Sequence, residues 1–377
     1  MSEPPFVFGR VADKRHFVDR DAERKRLAQN FGSLVNTVII SPRRWGKSSL
    51  VQRVAQDIKA DKANKDLKVC LIDLFNVRSE ADFYAHLATG VMRATMSKWA
   101  EWVEAVGKFM SHLRPTVSIT PDLASSIKLE MDWTQAVDSP DEILDLVEKI
   151  GSEKNWRIVV CVDEFQAIAG FADSDAFQRK LRSHWQQHQH VAYCLYGSKR
   201  HMMLNLFGDS EMPFYRFGDV MTLGKIDNAV WGDFIKRRFE ATGKKITPAQ
   251  GRELAALVED HSYYVQQLAQ QVWFRTQDIC TDQIISEAMT DLTDQLSLVF
   301  TGLAASLTSR QLGFLRAVLD GQTSLFGQAT LKAYNLGTSA NVVRIRDALV
   351  AREIIDIDEN GIQILDPVFK YWLRMNL

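Results

Sequence analysis

Cysteine is scarce in this chain. Four thiols, Cys70, Cys161, Cys194 and Cys280, stand far apart among 377 residues and form no CxxC pair. Three lie in apolar, β-branched runs ("KVCLIDLF", "IVVCVDEF", "VAYCLYGS"). Such thiols act as small buried hydrophobes in a reducing compartment, not as a disulfide framework. Excess charge of one sign is lacking too. The formal net charge is -1, so no global field draws nucleic acid or an anionic membrane, and such a contact needs a local patch. No apolar run approaches a membrane span, and the opening "MSEPPFVFGR" carries no apolar signal core. The expectation is a cytoplasmic protein. Internal repeats, low-complexity tracts and long Gly/Ser linkers are also missing, so the modules are expected to pack closely.

What is present describes an ordinary globular chain, 46% hydrophobic and 25% charged. Its length calls for two or three domains. "FVDRDAERKRLAQNF" reads as a helix capped by Asp19 or Asp21, with Leu27 and Phe31 on one face. "NTVIIS" is a short strand, and "GKSSLVQRVAQDIKA" a helix on which Leu50, Val51, Val54 and Ile58 recur at helical spacing. "LKVCLIDLF", "RIVVCVDEF" and "HVAYCLYGS" are further buried strands, with helices over "SEADFYAHLATGVMRATM" and "SDAFQRKLRSHWQQH". Alternating strands and helices predict an α/β core with a parallel sheet. "TVSITPDLASSIKLEMDW" alternates about a Pro-Asp turn and predicts a hairpin inserted near 115–133. From Leu223 to Leu303 the pattern is helical without strand signals. The expected division is a core over 1–222, a helical domain over 223–303 and a third module over 304–377.

"VIISPRRWGKSSL" is strand, loop and helix start in one. Successive loop N–H groups and a helix N-terminus cradle phosphate oxygens. Ser41, Pro42, Arg43, Arg44, Trp45 and Gly46 form the predicted cradle. Gly46 admits close approach, Lys47 reaches the β- and γ-phosphates, the Ser48 hydroxyl suits Mg²⁺, and Ser49 reaches the α-phosphate. The loop departs from the usual pattern in having Ser41 where the first glycine stands. Downstream, "RIVVCVDEF" drives an apolar strand into Asp163 and Glu164. Asp163 is placed to hold the metal, Glu164 to orient and deprotonate a water. Ser198, at the end of "AYCLYGS", is a candidate γ-phosphate sensor, and Arg216 in "MPFYRFGD" a candidate arginine finger.

These stretches resemble the prokaryotic and archaeal ATPase-like family of the STAND/AAA+ P-loop proteins. The likeness runs from "PFVFGRVADKRHFVDRDAERKRL" through "SPRRWGKSSL", "VVCVDEFQAI", "GSKRHMM", "MPFYRFGD" and "YYVQQLAQ" to "DPVFKYWLR". It implies a P-loop core, a helical lid and a C-terminal winged helix, with ATP or ADP and Mg²⁺ bound. It makes Ser41 a family variant. It further implies that Phe17, Val18 and Arg20 lie beside the adenine and that Tyr263 or Tyr264 closes the pocket. The chain departs from the family in "EDHSYYVQQL", which has no proline before the tyrosines, and in "YYVQQLAQQVW", which has no second-sensor arginine.

The C-terminal residues independently spell a winged helix. "LTSRQLGFLRAVLDG", "QATLKAYNL" and "TSANVVRIRDALVAR" are three helices, "EIIDIDENGIQILDP" a hairpin turning at Glu359-Asn360-Gly361, and "VFKYWLRM" a closing helix. Thr338 or Ser339 caps the third helix, Val342, Ile345 and Leu349 face inward, and Asn341, Arg344 and Arg346 are the candidate DNA contacts. Basic and acidic residues nearly balance over this module, so the bland alternative is a protein-docking or packing module. In "SHWQQHQH", His184, His188 and His190 read as a solvated helix end, not a metal site. The residues therefore predict an ATP- and Mg²⁺-dependent ATPase switch. The alternatives are a nucleotide-regulated DNA-binding regulator and a scaffold that keeps ADP as a structural ligand; beside nucleotide and DNA, the expected partners are a protein or a second copy of the chain, and no membrane.

Overall fold

The computed structural model describes residues 4–12, 15–96, 140–358 and 361–377. The hairpin expected near 115–133 lies outside them, as do Glu359 and Asn360. The chain forms two compact units, one of Asp21–Ser41 and Lys47–Leu223, the other of Met1–Arg20, Pro42–Gly46 and Gly224–Leu377.

The first unit is built on β1 (Thr37–Ile40), β2 (Leu67–Asp73), β3 (Arg157–Asp163), β4 (Val191–Gly197) and β5 (Asp219–Thr222). They form one sheet in the order β2-β3-β4-β1-β5, every pairing parallel. β1 and β4 are buried along their whole length, and β3 everywhere but its two ends, as a sheet covered on both faces requires. The helices are α1 (Asp21–Gly32), α2 (Lys47–Ala60), α3 (Glu80–Thr95), α4 (Pro140–Leu144), α5 (Leu146–Lys154), α6 (Ser174–Trp185) and α7 (Arg200–Gly208). Leu27 and Phe31 are fully buried, as are all four cysteines but for a trace at Cys280. β5 was not anticipated: it is a four-residue edge strand with only Met221 buried, so it carries no apolar run to read.

An aromatic cluster sits under the end of β3. Trp185 stacks on Tyr193 with ring centroids 4.0 Å apart, and Phe165 meets Phe214 edge-on at 5.3 Å. Phe165 directly follows the acid pair, so packing of its ring anchors that turn. The histidines near the end of α6 correct the sequence reading. His184 Nδ1 lies 2.7 Å from Asp145 Oδ1, His188 Nδ1 lies 2.8 Å from the Tyr193 hydroxyl, and His190 Nδ1 lies 2.8 Å from Glu148 Oε1. They are a clasp between α6 and α5, not a solvated end, because carboxylates remote in sequence fold onto them. Burial lowers the affinity of His188 for a proton. Among the described residues no cluster of three or more His, Cys, Asp or Glu side chains is arranged to hold a metal ion.

The second unit contains α8 (Asn228–Glu240), α9 (Pro248–Leu257), α10 (Ser262–Arg275) and α11 (Asp282–Ala305). Then come α12 (Ser309–Leu319), α13 (Gln328–Ala333), α14 (Ser339–Ala351), the antiparallel hairpin of β6 (Ile355–Asp358) and β7 (Gly361–Ile364), and α15 (Pro367–Asn376). One apolar core runs from Phe6 to Leu373. α11 packs on α15 through Phe300 and Phe369, 5.3 Å apart. Thr338 caps α14 by accepting from Asn341 N, and Val342, Ile345 and Leu349 are buried. Asn341 differs from expectation: its side-chain amide donates to Leu336 O at 2.6 Å, so it braces the module instead of projecting. No described helix is long and apolar enough to cross a membrane.

The aromatic cluster yields a stability prediction. Trp185→Ala removes a fully packed ring and is expected to cost about 3–5 kcal/mol in denaturant unfolding. Trp185→Phe is expected to cost less than half of that, since the buried indole N–H has no partner to lose. Equal losses for the two variants would contradict the packing account.

Candidate active site

The ends of three neighbouring strands lead to the first unit's candidate residues: β3 to the acid pair, β4 to Ser198, and β1 to Ser41. β1 ends at Ile40, Ser41 is buried, and α2 starts at Lys47. Lys47 is itself buried, and its ammonium donates to the Ser41 carbonyl at 2.8 Å and to the Ser41 hydroxyl at 3.4 Å. The serine that replaces glycine thus provides a second acceptor for the lysine. Ser49 follows, half-buried, in the first turn of α2.

Ser48 ties the loop helix to the acid pair. Its hydroxyl donates to Asp163 Oδ2 at 2.6 Å, across a sequence separation of 115 residues. The Asp163 carboxyl titrates at about 6. Burial is the main cause, reinforced by the charges of Glu164 and of Asp73, which stands in register on β2. The Ser48 hydroxyl and the Glu164 N–H, which donates to Asp163 Oδ1 at 2.9 Å, oppose the rise. A polar group withdrawn from water in this way favours any ligand that neutralises it.

Glu164 has φ of 53°, a left-handed conformation that a non-glycine residue holds only at some cost. The turn directs its carboxylate to the end of β4. There Glu164 Oε2 accepts from the Ser198 hydroxyl at 2.9 Å, from Ser198 N at 3.4 Å, and from the Gln166 amide. Gln166 is 4% exposed and lies where a side chain on Gly197 would be: a Cβ there would fall 1.7 Å from Gln166 Oε1. Sequence reasoning assigned Gln166 no role. The signal was present in "DEFQ", where a glutamine destined for burial follows two acids.

Arg216 is not drawn into this group. It projects between the buried Phe214 and Phe217 with φ of 52°, its guanidinium 5.2 Å from the centre of the Tyr215 ring. Among the described residues no hydrogen bond or ion pair joins it to Lys47, Glu164 or Ser198.

The remaining candidates belong to the second unit. Pro42 to Gly46 turn through left-handed conformations at Arg44 (φ 65°) and Gly46 (φ 98°), the second of which suits glycine. The Arg44 guanidinium lies 4.4 Å from the centre of the Tyr263 ring, a cation–π contact. Arg20 is buried and donates to Gly224 O at 2.6 Å, with Trp45 O at 3.5 Å. Val18 is buried beside a half-buried Phe17, and Arg43 is exposed. Tyr264 is buried, and its hydroxyl donates to Asp366 Oδ2 at 2.5 Å, at the cap of α15. Burial, and then the Asp366 charge, raise the pKa of that phenol. Of the two tyrosines, Tyr263 meets the loop and Tyr264 meets the C-terminal helix. The opening segment is tied to the same helix, since Gln266 accepts from Val7 N and donates to His16 O, each at 3.3 Å.

Comparison with known proteins bears on the fold. Residues 298–375 match the family model described as a probable winged helix domain. The fold is similar to that of a Walker-type ATPase of Pyrococcus abyssi, with a TM-score of 0.67 at 16% identity over 98% of this chain and 99% of that one. It is similar to the ORC2 protein of Aeropyrum pernix, solved as ADPNP–ADP complexes, with a TM-score of 0.56 at 15% identity over 98% and 99%. The ORC1 protein of the same organism, solved in complex with DNA, gives 0.50 at 12% over 96% and 93%. No curated protein sequence matches the chain. At these identities the likeness is one of fold: a parallel α/β core of the P-loop ATPase type, followed by helices and closed by a winged helix.

Proposed function

We propose that the protein is an ATP-binding and ATP-hydrolysing switch of the AAA+/STAND type, acting in the cytoplasm. Its nucleotide state is relayed through a helical lid over 223–303 to a winged helix over 304–377. The observation that carries this reading is the 2.6 Å hydrogen bond from Ser48 to Asp163, which joins the loop helix to the acid pair. An isolated GKSS helix start would have no reason to meet a buried carboxylate.

Each residue has a task in this reading. Lys47 exchanges its bond to the Ser41 hydroxyl for a phosphate oxygen, keeping the carbonyl as an anchor. The amides of the 41–46 loop and the start of α2 hold the phosphates, with Ser49 at the α-phosphate. Ser48 and Asp163 are the residues that would hold Mg²⁺. They fit it: two hard oxygens lie side by side, and one belongs to a carboxylate whose burial makes its charge costly. When bound, the ion supplies charge neutralisation at the transferring phosphoryl group. Glu164 orients the attacking water and takes its proton, and Ser198 with Gln166 sets the direction of that carboxylate. Ser198 and Arg216 report the γ-phosphate, while Phe17, Val18 and Arg20 flank the base and Tyr263 and Tyr264 couple the loop to α10 and α15.

A second reading, regulated DNA binding through the winged helix, is favoured by one observation. A concavity of about 550 Å³ opens beside the start of α14, lined by Arg310 and Arg344. Neither arginine has a carboxylate partner among the described residues.

Lys47→Ala is expected to abolish nucleotide binding in an equilibrium titration. Glu164→Gln is expected to keep binding while slowing turnover about 10²–10⁴-fold. Wild-type turnover in that variant would remove Glu164 from the mechanism. A pH titration adds an independent check. The native protein holds the Asp163 proton more tightly than the unfolded chain does, so this group costs stability as pH rises from about 4 to about 6. Its carboxylate is then ionised only above about 6. Affinity for Mg²⁺-ATP should therefore fall about tenfold per pH unit below that point, with metal-free ATP much less affected. Parallel curves would exclude Asp163 as the metal residue. For the DNA reading, duplex affinity should fall steeply with salt, change with bound ATP and be lost in Arg344→Ala. Binding that is flat in all three would exclude it.

A further inference from the structure

A basic cleft lies along the open edge of the sheet, and nothing in the proposed nucleotide chemistry uses it. It has a volume of about 790 Å³ between α2, the β2 strand and the end of α3. Lysines recur at every third position through "KADKANKDLK", and Lys59, Lys62, Lys65 and Lys68 all line it, joined by Arg93 of α3. The acids of that stretch are already committed. Asp61 accepts from Ala63 N and from the Asn64 amide, each at 2.9 Å, and Asp66 pairs with Arg157 at 2.7 Å. Lys68 donates to Lys65 O and lies over the Trp156 ring. Lys59, Lys62, Lys65 and Arg93 have no carboxylate partner among the described residues. In a chain of net charge -1, this is a concentrated positive patch.

Among the described residues, the floor of the cleft is an unpaired strand edge. β2 pairs with β3 on one side and ends the sheet on the other. Arg157 N donates to Asp66 O at 3.0 Å and Leu74 N donates to Asp163 O at 3.1 Å, so the even-numbered residues of β2 face β3. In a parallel ladder the alternate residues face away. Leu67, Val69 and Leu71 therefore turn their N–H and C=O groups outward, and all three line the cleft. Leu71 is 44% exposed, leaving an apolar strip beside them.

We propose that this cleft docks an extended acidic peptide segment of a partner protein, which adds to β2 as a further strand while its carboxylates pair with the lysines. Lysines on an edge discourage pairing with neutral or basic strands, and the same charges select an acidic one. The edge also discriminates against nucleic acid. Outward carbonyls of Leu67, Val69 and Leu71 need donors, which a peptide backbone supplies and a phosphodiester backbone does not.

The test uses the full chain and a fluorescent peptide of alternating Glu and Val, about eight residues long, matched to a typical strand. A Lys–Val peptide and an oligothymidylate are the comparison probes, all read by anisotropy at about 50 mM and about 200 mM salt. The acidic peptide should bind, weaken with salt, and bind about tenfold less tightly to Lys62→Glu/Lys65→Glu, whose exposed positions leave folding and nucleotide binding unchanged. Val69→Pro removes one outward N–H at an edge position that tolerates proline, and should weaken the acidic peptide as well. The proposal is overturned if the acidic peptide does not bind at low salt, if the lysine variant binds it as well as the parent, or if oligothymidylate binds in preference.

Discussion

A carboxylate withdrawn from water at the end of β3 is the constraint around which the first unit is arranged. Burial raises the Asp163 carboxyl, and the Ser48 hydroxyl and the Glu164 N–H, each donating to it, oppose that rise. Those two bonds fix the start of α2 and the turn after β3 at once. The strand order then places β4 between the two motifs, so its end delivers Ser198 to Glu164 without a long excursion of chain. Beneath the turn, Phe165 is locked by Trp185 and Phe214, and the left-handed backbone at Glu164 is held by packing that a loop on the surface would not have. Polar groups gathered at one rim of a sheet are costly to bring together, and the proposed phosphate and cation would offset that cost.

The second unit works by a different principle. Its helices and winged module share one apolar core, and the N-terminal arm is part of it through Phe6 and Val18. Within that unit, α10 is a hub. Tyr263 touches the phosphate loop through Arg44, Tyr264 reaches the cap of α15, and Gln266 holds the arm. Neighbouring residues on one helix thus face three different segments. Arg44, Tyr263, Tyr264 and Asp366 form a continuous run of contacts from the loop to the C-terminal helix, the two rings packed edge to face.

Much of this was legible in the residues. Buried parallel strands advertise themselves as continuous apolar runs, and β1, β3 and β4 were read that way; β2, also read as buried, is a strand at the sheet's edge with Leu71 exposed. The start of the helix at Thr338 followed from capping chemistry, and the winged helix followed from three helical patterns and a hairpin turn. What escaped lacked such a signal. β5 is short and mostly exposed, so nothing in "DVMT" separates it from a loop. The histidine clasp depends on Asp145 and Glu148, whose arrival at α6 is a tertiary event that local spacing does not encode. Asn341 sat on the expected outward face of its helix, yet a carbonyl five residues earlier captures it. Gln166 escaped because its importance lies in an absence elsewhere, the missing side chain of Gly197.

That absence has a consequence for how such a chain can diverge. Positions 166 and 197 share a single small volume, so 197 cannot gain a side chain while Gln166 keeps its place. A lineage that acquired even a methyl group at 197 would evict the glutamine and leave Glu164 with Ser198 as its sole side-chain donor, loosening the aim of the carboxylate while every phosphate-binding residue stayed intact. Under the proposed mechanism, descendants of that kind would still grip nucleotide but would keep time badly, with the lifetime of the loaded state set by an unsteered acid.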